Sequence, residues 1–369
     1  MNEEWNDLSL QPANLTDPPG EAYATPKRLW QGIPGIERTA GGCLWAAWYS
    51  GDKQEGPENY VVLVRSKDDG QSWSQPLLVV DPPGKVRAYD PCLWIDPLGR
   101  LWFFWAQSYN WFDGRCGVWA SVTTEPDAER PAWSAPRRLA NGIMMNKPTV
   151  LSNGEWLMPA AVWERSGPRY DAVRRGDMAA ERFSNVYVSP DQGASWRLRG
   201  GADMPGRSYD EHMVAERNDG GLAMFIRATQ GYGQSHSTDG GRTWSPGTMS
   251  RFTGPDTRCF VRRLHSGQWL MIYHDAPKAR ERLSAWLSPD EGATWAGPLL
   301  LDERDKVSYP DATQAADGRI YAIYDRDRHG AGEILMAVFR EEDVRAGRLV
   351  SGDARLAVLV DRLSPGPGG

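Results

Sequence analysis

An eight-residue pattern, Ser-x-Asp-x-Gly-x-x-Trp, occurs four times in this chain of 369 residues, at 66–73, 189–196, 237–244 and 288–295. In each copy an apolar run reaches the serine, as in Val61-Val62-Leu63-Val64-Arg65 and Ser284-Ala285-Trp286-Leu287, so a strand ends where an Asp/Gly turn begins. The aspartate can bond turn amides, the glycine admits positive φ, and the closing tryptophan can tuck beneath the hairpin, where its indole N–H needs a partner. One such octet arises by chance. Four in one chain specify a repeated β-hairpin and an all-β architecture built from it, a β-propeller.

A second repeat gives the blade count. Glycine followed by an apolar strand recurs at Gly42, Gly99, Gly154, Gly221, Gly267 and Gly318, about 46 to 67 residues apart, the length of one four-stranded sheet with its turns. The expectation is a six-bladed β-propeller with four-stranded antiparallel blades, one domain over 1–369, with 1–26 as an N-terminal extension and 364–369 as a flexible tail. The octets fall after the third strand of a blade. A degenerate copy is expected where Gly117-Val118-Trp119-Ala120-Ser121 runs into Trp133-Ser134-Ala135-Pro136, and Glu333 to Phe339 reads as the third strand of the last blade. The segment near Lys27 to Trp30 is expected to supply the strand that closes the ring. The polar stretches 109–115 and 166–182 read as loops.

Forty per cent apolar residues and 18 tryptophans suffice for a large core, and a net charge of −6 offers no general attraction to nucleic acid or to an anionic membrane. A small molecule or a glycan is the expected partner, and the oligomeric state is left open. Cys43, Cys92, Cys116 and Cys259 show no paired spacing and read as free buried thiols. The acidic start, Met1 to Asp7, has no basic and apolar leader pattern, so a cytoplasmic protein is the default, with a secreted mature form as the alternative. No cofactor is expected: His236, His265, His274 and His329 lack metal-ligand spacing, and no glycine-rich turn has the GxxxxGK pattern.

In a propeller the innermost strand of each blade precedes the glycine-initiated one, so its first residues ring the axis. These are Gly32-Ile33-Pro34, Arg87-Ala88-Tyr89-Asp90-Pro91, Asn146-Lys147-Pro148, Tyr209-Asp210-Glu211-His212, Asp256-Thr257-Arg258 and Tyr309-Pro310-Asp311. Charges that converge where backbones crowd are costly to bury and are usually kept to hold a ligand. The structural alternative is that they pair with one another and plug the channel. Lys147, Asp256 and Asp311 are expected to line the pocket and bind substrate. His212 alternates away from it, and Trp48, Trp105, Trp111 and Trp163 are available to stack on sugar faces.

Several stretches match more closely still: Tyr309 within Val307-Ser308-Tyr309-Pro310-Asp311-Ala312-Thr313-Gln314, Glu211 opening Glu211-His212-Met213-Val214, Arg227 closing Met224-Phe225-Ile226-Arg227, and Arg280 ahead of an octet. On these residues the chain, from about Ile33 to Phe339, resembles the sialidase (neuraminidase) superfamily, six-bladed propellers whose octets are called Asp boxes or BNR repeats. The resemblance implies a Tyr309 nucleophile activated by Glu211, with Arg227 and Arg280 binding a substrate carboxylate. The chemistry is intelligible: an anomeric carbon bearing a carboxylate repels a carboxylate nucleophile but not a phenol, and a phenol with a pKa near 10 needs a base beside it.

The family's Arg-Ile-Pro motif reads Gly32-Ile33-Pro34 here, so its arginine is absent. Either Arg87 or Arg258 restores the cation from another inner strand, or the substrate is not a sialic acid. For the acid/base group, the loop 51–60 offers Glu58 first and Glu55 second, with Asp90 as a further candidate. The leading expectation is a sialidase-like exo-glycoside hydrolase acting on an acidic sugar. Rhamnosidase or polysaccharide lyase chemistry on uronic-acid glycans is one alternative, and a non-catalytic carbohydrate-binding propeller is another.

Overall fold

The serine and aspartate of each octet build the turn between them. Ser66 Oγ donates to Asp68 Oδ1 at 2.7 Å and accepts the Gly70 N–H at 2.8 Å, while Asp68 accepts the Ser72 amide at 2.9 Å and hydroxyl at 2.6 Å. The same bonds recur about Asp191, Asp239 and Asp290. The four octet glycines take φ of 80 to 93°, open to glycine at little cost. Hydrogen bonds from the facing hydroxyl and amide hold the Asp68 and Asp191 carboxyls down at about 2. Two of the four closing indoles, Trp244 and Trp295, donate to the carbonyl of their octet glycine. Those of Trp73 and Trp196 are buried without a partner.

The structure, a computed structural model, describes residues 7–109, 112–164 and 178–364. Among the described residues twenty-five strands form six antiparallel sheets. Blade 1 contains β2 (Trp30–Arg38), β3 (Leu44–Gly51), β4 (Tyr60–Ser66) and β5 (Leu78–Asp81), and β1 (Asn14–Thr16) is added outside β5. Blade 2 is β6 (Arg87–Ile95), β7 (Leu101–Ser108), β8 (Gly117–Thr123) and β9 (Arg137–Asn141); blade 3 is β10 (Thr149–Val150), β11 (Trp156–Pro159), β12 (Ser184–Ser189) and β13 (Arg197–Ala202). Blade 4 is β14 (Met213–Glu216), β15 (Leu222–Ala228), β16 (Gly231–Ser237) and β17 (Thr248–Met249); blade 5 is β18 (Phe260–Arg263), β19 (Trp269–His274), β20 (Leu283–Ser288) and β21 (Ala296–Asp302). Blade 6 is β22 (Val307–Gln314), β23 (Ile320–Arg326), β24 (Glu333–Phe339) and β25 (Arg355–Arg362). Each glycine-initiated run is the second strand of its blade, and the expected propeller of six blades is the fold.

Second strands read as near-continuous apolar runs because both of their faces are covered. On β3, Trp45, Ala47 and Tyr49 join the core shared with blade 2, while Leu44, Ala46 and Trp48 join the core shared with blade 6. The degenerate copy in blade 2 keeps its closing register without the Asp-Gly turn. Ser134 bonds the Val122 amide through its hydroxyl and the Val122 carbonyl through its N–H, as Ser74 does with Arg65. In blade 6 a short helix, α1 (Glu341–Ala346), stands where an octet turn would be.

Ring closure differs from expectation. The outer strand of blade 6 is β25, from the C-terminal part of the chain, and the N-terminal segment adds β1 to blade 1 instead. Every blade is thus made of contiguous chain, and the seam between blades 6 and 1 is tied by side chains. Arg28 pairs with Asp361 at 3.1 Å, and Gln31 Nε2 donates to Asp361 Oδ1 at 2.9 Å and to the Gly332 carbonyl at 2.8 Å. All four cysteines are free and buried. Among the described residues no helix is long and apolar enough to cross a membrane. The tail 365–369 and most of the loop 166–182 lie outside the described residues.

The middle of the axis is plugged. Lys147 Nζ lies 3.1 Å from Asp311 Oδ2 and 3.3 Å from Glu37 Oε2, and donates to the Ile36 and Leu93 carbonyls at 2.6 Å. Burial alone would lower the Lys147 pKa, but Asp311 and Glu37 outweigh it and raise it. Lys147 and Asp311, expected in the substrate pocket, therefore form a buried ion-pair cluster below it: the structural alternative holds for these two.

Candidate active site

Three neighbouring inner strands carry the same device. In β2, β6 and β22 the ladder shifts register at Ile33-Pro34, Asp90-Pro91 and Tyr309-Pro310, since proline has no N–H to continue it. The residue before each proline takes φ of 59, 49 and 52°, a left-handed conformation that costs on the order of 1–3 kcal/mol for a non-glycine residue and recurs at functional sites. Ile33, Asp90 and Tyr309 line one cavity of about 360 Å³ at the same end of the axis.

Tyr309 is its centre. The phenol donates to Glu211 Oε1 at 2.9 Å and accepts from Arg227 Nη1 at 3.0 Å, and that same nitrogen lies 2.6 Å from Glu211 Oε2. Burial, and then the Glu211 carboxylate, push the phenol up to about 12, while Arg227, Arg280 and Arg328 pull the other way. Arg227 is fixed by Asp256, whose Oδ1 lies 2.5 Å from Nε and whose carbonyl accepts from Nη2 at 3.0 Å. Arg280 donates to the same carbonyl at 2.9 Å and to Ser308 Oγ at 3.0 Å. Asp256 thus holds two arginines in place rather than lining the cavity itself.

On the opposite rim Asp90 faces Glu55 and Arg87. Burial, then the Glu55 charge, raise the Asp90 carboxyl to about 8, with Arg87 opposing. Arg87 lies over the Tyr89 ring at 4.0 Å and the Tyr49 ring at 5.4 Å. A third wall is aromatic: Trp163 meets Tyr209 edge-on at 5.1 Å and packs on Phe112 at 5.4 Å.

Of the residues singled out in the sequence, Tyr309, Glu211, Asp90, Arg227, Arg280 and Arg87 meet in this cavity. Glu58 does not line it; it sits exposed on the β3–β4 loop, and Glu55 of that loop reaches the rim instead. Arg258 does not line it either. It lies beneath, donating to the Met145, Tyr309 and Pro310 carbonyls at 2.7, 3.1 and 2.9 Å, so it supports the floor. His212 is buried between the Asp210 and Asn185 carbonyls, away from the cavity. Trp163 faces the cavity, Trp48 and Trp105 are blade core, and Trp111 lies outside the described residues. Sequence reasoning missed Arg328, on the β23–β24 turn, and no local pattern marks it. Among the described residues no cluster of metal-ligating side chains occurs.

A family model described as BNR repeat-like domain matches residues 42–322. A sialidase of Bacteroides fragilis (strain YCH46) is 24% identical over 314 residues, covering 75% of this chain; the chain spans 56% of that relative's length. Among solved structures, a Hadza microbial sialidase superposes with a TM-score of 0.69 at 18% identity, covering 85% of this chain and 66% of that one. The α-L-arabinanase of Penicillium chrysogenum does so with a TM-score of 0.57 at 14% identity, covering 89% and 97%. The propeller is therefore shared by proteins named for different sugars. With the family model spanning most of its blades, the chain belongs to the BNR repeat-like domain family.

Proposed function

We propose that the protein is a glycoside hydrolase that removes an acidic sugar from the non-reducing end of a glycan. The observation that carries this reading is the Tyr309 hydroxyl held between Glu211 at 2.9 Å and Arg227 at 3.0 Å, a nucleophile with a base in hydrogen-bond reach. Glu211 takes the phenolic proton as Tyr309 attacks the anomeric carbon, and Arg227 steadies the charge that develops on the oxygen. Asp90 keeps its carboxyl proton up to about pH 8 and gives it to the leaving oxygen. Water then releases the sugar with the configuration retained.

The acidic substrate follows from charge. Arg87, Arg227, Arg280 and Arg328 line the cavity against Glu55, Asp90 and Glu211, of which Asp90 is mostly protonated at neutral pH. The excess is cationic and suits a carboxylate. The sialidase names of two relatives support a sialic acid as the first sugar to try.

The test is direct. Purified protein incubated with sialyllactose, aryl sialosides and aryl uronides should free the acidic sugar, and Tyr309→Phe should not. Release of an unsaturated uronate would make the protein a lyase; tight glycan binding with no turnover in either form would make it a binding propeller.

A further inference from the structure

The space above Gly32 is filled by Arg328. A Cβ on Gly32 would lie 2.5 Å from Arg328 Cδ and 2.8 Å from its Cγ and Nε, closer than such atoms can approach. A side chain at 32 and Arg328 in its present position exclude each other. This part of the rim is served either from blade 1 or from the β23–β24 turn of blade 6, and here blade 6 serves it.

Arg328 is held there. Its Nε donates to Asp325 Oδ1 at 2.9 Å, and Asp325, fully buried, also accepts the Ile33 N–H through Oδ2 at 2.7 Å. One carboxylate thus fixes both the bulge of β2 and the guanidinium above it. The guanidinium lies 4.5 Å from the centre of the Tyr309 ring, where Arg280 lies at 5.3 Å from another side. Arg227 and Arg280 spend their donors on Glu211, Asp256, Tyr309 and Ser308. Arg328 differs: its Nη2 is buried without a hydrogen-bond partner, and its Nη1 comes no closer than 3.8 Å to Glu55 Oε1. A buried guanidinium donor left unmatched is costly, and an anionic ligand in the cavity satisfies it.

We infer that Arg328 is the residue that selects a carboxylated sugar in this protein, donating to the carboxylate beside Arg227 and Arg280 from the space Gly32 leaves open. This rests on the acidic-sugar reading above, and the experiment separates the two. Calorimetric titration would compare sialic, glucuronic and galacturonic acids, each against its methyl ester, on wild type, Arg328→Gln, Gly32→Ala and the double variant Gly32→Arg with Arg328→Ala.

Wild type should bind one acid in clear preference to its ester. Arg328→Gln should weaken that acid by about ten- to a hundredfold with little change for the ester. Gly32→Ala keeps every charge and should mimic the loss by displacing Arg328; it carries the test if Arg328→Gln melts well below wild type. The double variant, with its cation moved to blade 1, should recover part of the preference. Undiminished preference in both single variants overturns the assignment of Arg328 and leaves the acidic-sugar reading intact. Absence of any acid preference in wild type overturns that reading and this one with it.

Discussion

Tyr309 and Glu211 stand two blades apart in the ring, yet the phenol and the carboxylate meet at 2.9 Å. The packing of blades 4, 5 and 6 about the axis brings them together, so the contact depends on correctly assembled blades. Under the proposed mechanism Tyr309→Phe removes the attacking oxygen and should reduce kcat by more than Glu211→Gln, which removes the proposed base and should cost about 10²- to 10⁴-fold. Steady-state rates on the substrate identified for wild type, with melting curves to show that both variants fold, check the order.

The Asp90 carboxyl, raised to about 8 by burial and Glu55 against the pull of Arg87 and Arg258, also with Glu211 nearby, binds a proton in the folded protein that the unfolded chain releases near pH 4. Its contribution to stability is full below pH 4 and declines as pH rises through 8. Asp90→Asn should therefore melt above wild type at pH 8, by on the order of 2 °C or more, with the gap closing toward pH 4. A pH series of thermal melts on both proteins tests the sign.

Lys147→Met would strand Glu37 and Asp311 in the axis without their cation. Breaking a buried cluster in this way should cost about 3–5 kcal/mol, read as a lower urea midpoint, while ligand affinity measured well below the melting temperature stays near wild type.

At the seam, Asp361→Ala deletes the partner of buried Arg28 and one bond to Gln31. The expected loss is about 2 kcal/mol in denaturant unfolding. A larger effect than a comparable substitution between two adjoining inner blades would identify the seam as the weak joint of the ring.

The blade count was legible because its signals are local: a glycine before each second strand, and an octet whose own side chains close its own turn. The pocket was legible in part for the same reason, since the residue before an inner-strand proline is visible in sequence at Ile33, Asp90 and Tyr309. What escaped depends on neighbours far along the chain. Lys147 and Asp311 sit at inner-strand starts like Asp90, but their fate was decided by Glu37 and two backbone carbonyls from other blades. Glu55 and Glu58 share one exposed loop whose composition does not say which reaches the rim. Arg328 owes its place to the side chain missing at Gly32, almost three hundred residues earlier.

The proline bulges of β2, β6 and β22 form three equivalent sockets on adjoining blades, each presenting one side chain to a common space while the flanking ladder stays as it is. Two sockets hold ionisable groups, a phenol and a carboxyl, and the third holds an isoleucine. An exchange of the side chain in a socket would alter the cavity without recutting the blade, and Ile33 marks the one socket of the three whose side chain carries no ionisable group.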